Sequence, residues 1–130
     1  MRAVLYLLIL AFYAANFADD KKMAFRPGAK PMRNEIRRFI KVGTPIATAD
    51  KIMTENGFTC RNKKNDDFLA TDEGSTDSKF IQRKNFLYCE RTEEGYVAMS
   101  PARRWKAALI NENDKVANVM VSFELIEKPK

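Results

Sequence analysis

The stretch GTPIATADKIMTENGFTC, from Gly43 to Cys60, predicts one capped helix that leads directly into a cysteine-bearing strand. Thr44 is a suitable N-cap residue, and Pro45 fits the first helical position because a missing N–H costs nothing there. The apolar residues that follow recur at helical spacing: Ile46, Ala49, Ile52 and Met53. Gly57 is expected to end the helix in the left-handed conformation, so that the strand through Cys60 begins soon after it.

Another helix is predicted just before this stretch. Pro31 is a suitable first residue for it, and the helix is expected to stop near Val42 and Gly43. Its apolar residues share one face: Met32, Ile36, Phe39 and Ile40. Two short helices joined around Gly43 indicate a helical pair that packs on a flatter layer.

The carboxy-terminal third carries the strongest strand pattern. Alternation around Trp105, a turn at 111–115 and an apolar run at 116–123 predict a hairpin with one face suited to helix packing. Trp105 is expected to be a core residue, because large aromatic side chains dominate small cores. Within the returning strand, one face carries Val119, Val121 and Phe123.

The middle of the chain is more polar. Residues 80–81 and 86–89 are strand-like, whereas residues 61–78 are predicted as a solvated loop with turns at 65–67 and 72–74. The fold class expected from these patterns is α+β, with two amino-terminal helices packed on a three- or four-stranded antiparallel sheet. The 130-residue length fits one domain over 31–126, followed by a polar tail at 127–130.

The amino terminus resembles an export signal. Arg2 precedes an unbroken apolar run at 3–15, which is shorter than the roughly 20 residues that a membrane-spanning helix needs. Cleavage after Ala18 gives a signal peptide at 1–18 and a flexible lead-in at 19–30. An uncleaved anchor is the alternative. Either way, we expect the domain to be exported, in the periplasm or outside the cell.

Export determines how the two cysteines are interpreted. In an oxidising compartment, the even pair Cys60 and Cys89 predicts one disulfide that closes a loop of about 30 residues. A redox-active or nucleophilic cysteine is the alternative, but the sequence has no Cys-x-x-Cys motif and no histidine. The absence of histidine also excludes Ser-His-Asp and Cys-His catalysis and histidine-ligated metals. No catalytic, cofactor-binding or metal-ligating residue is assigned.

A basic cluster on the first predicted helix is the candidate interaction patch. It comprises Arg33, Arg37, Arg38 and Lys41 in a chain of net charge +6. Such a cluster attracts an acidic partner protein, anionic lipid or a cell-wall polymer, or it is simply the solvated face of an amphipathic helix. Nucleic acid is disfavoured as a partner, because the cluster lacks interleaved aromatic residues for base stacking.

The pattern G-T-x-x-x-x-A-x-x-I-M-x-x-x-G-F-x-C at 43–60, followed by Trp105-Lys106-Ala107-Ala108-Leu109 and the strand at 116–123, carries a family resemblance. It resembles small bacterial envelope domains of the SmpA/OmlA type, and its layout is similar to the β-lactamase-inhibitor-protein repeat. The chain lacks the lipidated cysteine of the outer-membrane assembly lipoproteins in that group. The resemblance implies a non-enzymatic scaffold that binds protein, and it transfers no functional residues.

Three functional interpretations follow. The first is an envelope or secreted protein-interaction module, including an inhibitor-like role. The second is a hydrolase with paired carboxylates drawn from Glu90, Glu93 and Glu94, close in sequence to Tyr88 and Tyr96. The third is a binder of an anionic membrane or wall surface. A calcium loop is disfavoured, because the acidic residues between 66 and 77 do not match the required spacing.

Overall fold

A computed structural model describes residues 22–72, 78–95 and 100–127. Two helices precede four strands: α1 (Ala29–Phe39), α2 (Ile46–Glu55), β1 (Thr59–Thr71), β2 (Ser78–Glu93), β3 (Ala102–Glu112) and β4 (Lys115–Ile126). The strands form one antiparallel sheet in the order β1-β2-β3-β4, so each strand pairs with its neighbour in the chain. The predicted α+β class is therefore confirmed, with four strands in the sheet.

The two helices cover one face of the sheet and bury the main core beneath them. Trp105 is fully buried there, with its ring centroid 5.6 Å from that of Phe123. Its Nε1 donates a 2.9 Å hydrogen bond to the carbonyl oxygen of Arg26. The other buried residues of this core include Met32, Ile36, Ile40, Met53, Leu87, Leu109, Val119 and Val121. The alternation predicted around Trp105 thus places the expected side chains beneath the helices.

Residues 23–28, which lie in the predicted lead-in, pack against this core. Met23 is buried, and its N–H donates a 2.9 Å hydrogen bond to the side-chain oxygen of Asn56. The ring of Phe25 lies 5.9 Å from that of Phe58 and 5.5 Å from that of Trp105. These contacts are tertiary, so the sequence spacing of the segment gave no indication of them.

The predicted solvated loop is wrong over residues 61–71, including the turn at 65–67, because β1 continues through them. Asn65 has a φ of 49° and Arg83, on the facing strand, a φ of 52°. The pairing register shifts between Lys63 and Asp66 and again just after Asp66. Bulges of this kind bend a strand and increase its twist without ending it. The polar residues at 65–67, which are typical of a turn, therefore mark a bend in a long hairpin. Residues 73–77, within the predicted loop, lie outside the described residues.

The face of the sheet away from the helices carries a second apolar cluster, which the sequence did not predict. Its buried members are Phe68, Phe86, Ala108, Ile110 and Met120. Beyond its bulges β1 reaches β4, where Asp72 pairs with Phe123 in a parallel bridge. There the Thr71 N–H donates to Ser122 Oγ at 3.1 Å, and that hydroxyl donates to the Thr71 carbonyl at 3.0 Å. The sheet therefore curls until its first strand contacts its last.

The predicted N-cap at Thr44 is also wrong. α2 begins at Ile46, no side chain caps it, and Pro45 precedes the helix instead of opening it. The Thr44 carbonyl accepts a 2.8 Å hydrogen bond from the N–H of Val116, while the Ile46 N–H donates to the carbonyl of Asp114 at 2.9 Å. The segment before α2 thus joins the edge of β4, and its backbone contacts replace a side-chain cap.

The predicted end of α2 at Gly57 is confirmed. Gly57 has a φ of 86°, in the left-handed region that favours glycine. A Cβ atom at this position would lie 2.1 Å from Nη1 of Arg91. That Nη1 donates a 2.7 Å hydrogen bond to the carbonyl of Asn56, so glycine also makes room for a contact that ties α2 to β2.

Candidate functional site

Cys60 and Cys89 are directly opposite each other in the β1–β2 ladder. Their Sγ atoms are 2.8 Å apart, which is longer than the roughly 2.05 Å of a disulfide bond, and both are free thiols in the structure. Cys89 is fully buried, whereas Cys60 is partly exposed. The fold therefore brings the predicted partners together without the predicted bond.

The two thiols differ in acidity. The pKa of Cys60 is lowered, mainly by the hydrogen bond with Cys89 and also by a hydrogen bond with the Thr54 hydroxyl. Burial acts in the opposite direction but is outweighed. The same thiol–thiol contact, together with burial, raises the pKa of Cys89. Because a thiolate is the nucleophilic form, and because Cys60 is the more accessible of the two, Cys60 is expected to react before Cys89.

Two of the three carboxylates proposed for hydrolysis, Glu90 and Glu93, lie near the end of β2 and pair with arginines, and Glu94 follows the strand. Glu90 Oε1 lies 3.2 Å from Nε of Arg104, and Glu93 forms an ion pair with Arg103. Arg104 also reaches Glu124 across the sheet, at 3.4 Å. Tyr96 lies outside the described residues. These contacts form a ladder of charge pairs across neighbouring strands, and the hydrolase interpretation stays a prediction.

Two further features bear on function. Within residues 22–72, 78–95 and 100–127, no group of three or more His, Cys, Asp or Glu side chains is arranged to hold a metal ion. In the same ranges, neither helix has the length and apolar character needed to cross a bilayer. The predicted signal peptide at 1–18 lies outside the described residues.

The main electrostatic feature is a basic segment, residues 22–41, formed by α1 and the chain on either side of it. It holds seven cations: Lys22, Arg26, Lys30, Arg33, Arg37, Arg38 and Lys41. Its one carboxylate is Glu35, so the segment has a charge of +6, equal to the net charge of the whole chain. The remaining residues carry sixteen cations and sixteen anions, so the excess positive charge of the chain falls within this segment of the sequence.

The only acid of the basic segment is buried and already paired. Glu35 is 3 % exposed; its Oε2 accepts a 2.7 Å hydrogen bond from the Ala24 N–H, and its Oε1 lies 2.8 Å from Nη1 of Arg38. Burial raises the pKa of Glu35, but the hydrogen bonds from Ala24 and Arg38 outweigh it, so the pKa is lowered overall. This carboxylate therefore anchors the chain before α1 and offers little charge to the surface.

The four residues of the predicted patch do not play equivalent roles. Arg37 reaches the sheet edge, where its Nη2 donates to the side chain of Asn118 at 2.9 Å and to the Val119 carbonyl at 3.3 Å. Arg38 is exposed and pairs with buried Glu35, and Lys41 is exposed beyond the end of α1. Arg33, the fourth residue, is partly buried and lines a cleft beside α1.

Two depressions flank the amino-terminal half of α1, and Lys30 lies between them. The outer one has a volume of about 430 Å³ and is lined by Arg26, Lys30 and Arg38 with Glu35. The other is a cleft of about 360 Å³ that lies between α1, the last residues of β1 and the first residues of β2. Its lining includes Lys30, Arg33 and Lys79. We call this second depression the α1 cleft. Sequence reasoning missed Lys79, because only the curling of the sheet brings it beside α1.

No protein-family model matches the chain, and no curated protein or solved structure gives a significant match. The candidate site therefore has to be interpreted from its own geometry.

Proposed function

We propose that the protein is an exported, non-enzymatic interaction module that binds an acidic partner protein through the basic segment. The observation that carries the proposal is the separation of charge: seven cations stand against one buried carboxylate in residues 22–41, and the rest of the chain is balanced. A concentrated field of this kind steers an anionic partner into place and raises its rate of association.

An acidic protein is favoured over a membrane because the apolar face of α1 is already occupied. Met32, Ile36 and Ile40 are each at most 1 % exposed beneath the helix. An interfacial helix needs such a face free to enter the boundary between headgroups and acyl chains. With the apolar face packed on the sheet, α1 presents only its polar side outward.

The composition of the segment supports the same conclusion. Four of its seven cations are arginines. The planar guanidinium group presents a fork of N–H donors that matches a carboxylate in two parallel hydrogen bonds. The predicted export signal and the sequence resemblance to SmpA/OmlA-type domains both suggest a binding role outside the cytoplasm.

The test is capture of a partner from the exported fraction of the source cells with a charge-reversed variant. The variant Lys22→Glu/Lys30→Glu/Lys41→Glu changes three exposed cations of the basic segment. Its matched control is Lys51→Glu/Lys64→Glu/Lys84→Glu, which changes net charge equally at exposed positions elsewhere. The wild type and the control are expected to retain an acidic protein that the basic-segment variant loses.

A parallel arm uses vesicles of anionic phospholipid at low and high salt. Vesicle binding by the wild type that the basic-segment variant loses, in the absence of a captured protein, would replace the acidic protein with a membrane as partner. Equal losses in both triple variants would show that net charge alone matters and that the basic segment is not the binding surface.

A further inference from the structure

The α1 cleft combines three cations with a floor of small and apolar residues. Its lining comprises Ala29, Lys30, Arg33, Ala70, Thr71, Asp72, Ser78, Lys79 and Val121. Lys30 and Lys79 form no ion pair within the described residues. The cleft thus gathers positive charge from two separate elements, α1 and the start of β2.

The acidic residue of the lining already has a structural role. Asp72 Oδ1 accepts a 2.9 Å hydrogen bond from the N–H of Ala29, the first residue of α1. This contact fixes the end of β1 against the start of the helix, and it occupies the first N–H group of α1. Recognition in the cleft would therefore come from the cationic side chains.

Arg33 has one buried donor for which the described residues offer no acceptor. Its Nε is buried and has no hydrogen-bond acceptor among the described residues. Arg91 also has a buried Nε without an acceptor, but its Nη1 donates to the Asn56 carbonyl at 2.7 Å and its guanidinium carbon lies 3.7 Å from the ring centroid of Phe25. A buried donor left unpaired is rare in folded proteins and calls for an acceptor.

The surroundings of Arg33 increase the local positive potential. Burial lowers the pKa of neighbouring Arg37, and the charge of Arg33 lowers it further. An anion in the α1 cleft would offset this repulsion through its charge. Arginine and lysine together are the usual side chains for holding phosphate and carboxylate groups.

We infer that the α1 cleft binds a small oxyanion, a phosphate or carboxylate group, through Arg33, Lys30 and Lys79. A volume of about 360 Å³ accommodates such a group together with a few atoms of the molecule that carries it. The site does not depend on the proposed partner protein, because a free ion can occupy it.

The test is titration of the full chain with sodium phosphate and, separately, sodium acetate, each against sodium chloride at equal ionic strength. Two-dimensional NMR follows the backbone amide resonances of Ala29 and Thr71, which line the cleft in every variant, and yields a dissociation constant for each protein. Arg33→Gln and Lys79→Gln are expected to weaken phosphate binding at least tenfold, the loss expected for one charge-assisted hydrogen bond. Lys64→Gln, at an exposed position outside the basic segment, is the control and should bind like the wild type. Comparing the two salts identifies which oxyanion the cleft prefers.

Thermal unfolding without added oxyanion gives a second measurement. Arg33→Gln is expected to leave the midpoint unchanged or raise it, because the variant removes a buried donor that has no acceptor. The inference is overturned if phosphate and acetate act no more strongly than chloride on the wild type. Equal weakening by Arg33→Gln and Lys64→Gln would overturn it as well, since that result indicates diffuse attraction to the net positive charge of the protein.

Discussion

Oxidation of the thiol pair is expected to stabilise the fold strongly. Cys60 and Cys89 are directly opposed in register and 29 residues apart in sequence, so a bond between them closes a loop of about 30 residues. For such a loop, the entropy removed from the unfolded chain corresponds to about 3.6 kcal/mol at 25 °C. Two thiols lose two electrons and two protons in this step, and glutathione disulfide, as the oxidant, is converted to two molecules of glutathione.

The measurement is urea unfolding of the oxidised and reduced protein at pH 7. With a urea dependence of about 2 kcal/mol per molar, the oxidised form should unfold at a midpoint about 1.8 M higher. The variant Cys60→Ser/Cys89→Ser is the control, and its midpoint should be the same with and without oxidant. During brief alkylation of the reduced protein, Cys60 should be modified before Cys89, because it is more exposed and its pKa is lowered.

Two results would refute this reasoning. If both thiols remain free after prolonged incubation of the folded protein with glutathione disulfide, the register does not lead to a bond. If the bond forms but the midpoint fails to rise, strain in the folded protein cancels the stabilisation that comes from the lower entropy of the cross-linked unfolded chain. The disulfide would then not act as the structural link that the sequence predicts.

The remaining predictions concern stability. Glu35→Gln should lower the free energy of unfolding at pH 7 by about 1–3 kcal/mol, since it weakens charge-assisted hydrogen bonds in a buried site. The pKa of Glu35 is lowered by folding. The contribution of Glu35 to stability is therefore fully present above its pKa in the unfolded chain, about 4.3, and is lost as pH falls through its pKa in the folded protein. The difference in unfolding free energy between the variant and the wild type should therefore shrink as pH is lowered from 7 to 3. A difference that stays constant over this range would contradict the prediction. Gly57→Ala should lower the free energy of unfolding by about 1–3 kcal/mol. Gly43→Ala is the control and should lower it less, because both glycines have a positive φ but only Gly57 lacks space for a Cβ atom. Equal destabilisation of the two variants in thermal unfolding would show that the Arg91 contact does not matter. Asp72→Ala should cost about 1 kcal/mol by removing the acceptor for the first N–H of α1, and an unchanged denaturation midpoint would exclude that role.

The elements with clear periodicity could be predicted from the sequence. Trp105 and its alternating neighbours lie beneath the helices as expected, and Gly57 ends α2 in the left-handed conformation. These features depend on local spacing and on backbone freedom, which a single sequence displays directly.

The missed features depend on contacts between distant parts of the chain. Thr44 has the side chain of an N-cap, but pairing of its backbone with Val116 on β4 overrides that preference. The polar residues around Asn65 are typical of a turn, yet the bulged strand continues and carries Phe68 over the second face of the sheet. The same curling explains why Arg33 could be named from the helix pattern, whereas its neighbour in the cleft, Lys79, could not.

Site-specific photocrosslinking tests the central claim most directly. A photoreactive residue replaces Asn34, an exposed position within the basic segment, and in a control protein it replaces exposed Lys84 on β2. After exposure to the exported fraction of the source cells, the probe at position 34 is expected to attach covalently to an acidic protein, with little product from position 84. Equal labelling from both positions, or only lipid adducts at position 34, would contradict the proposal that the basic segment binds a partner protein.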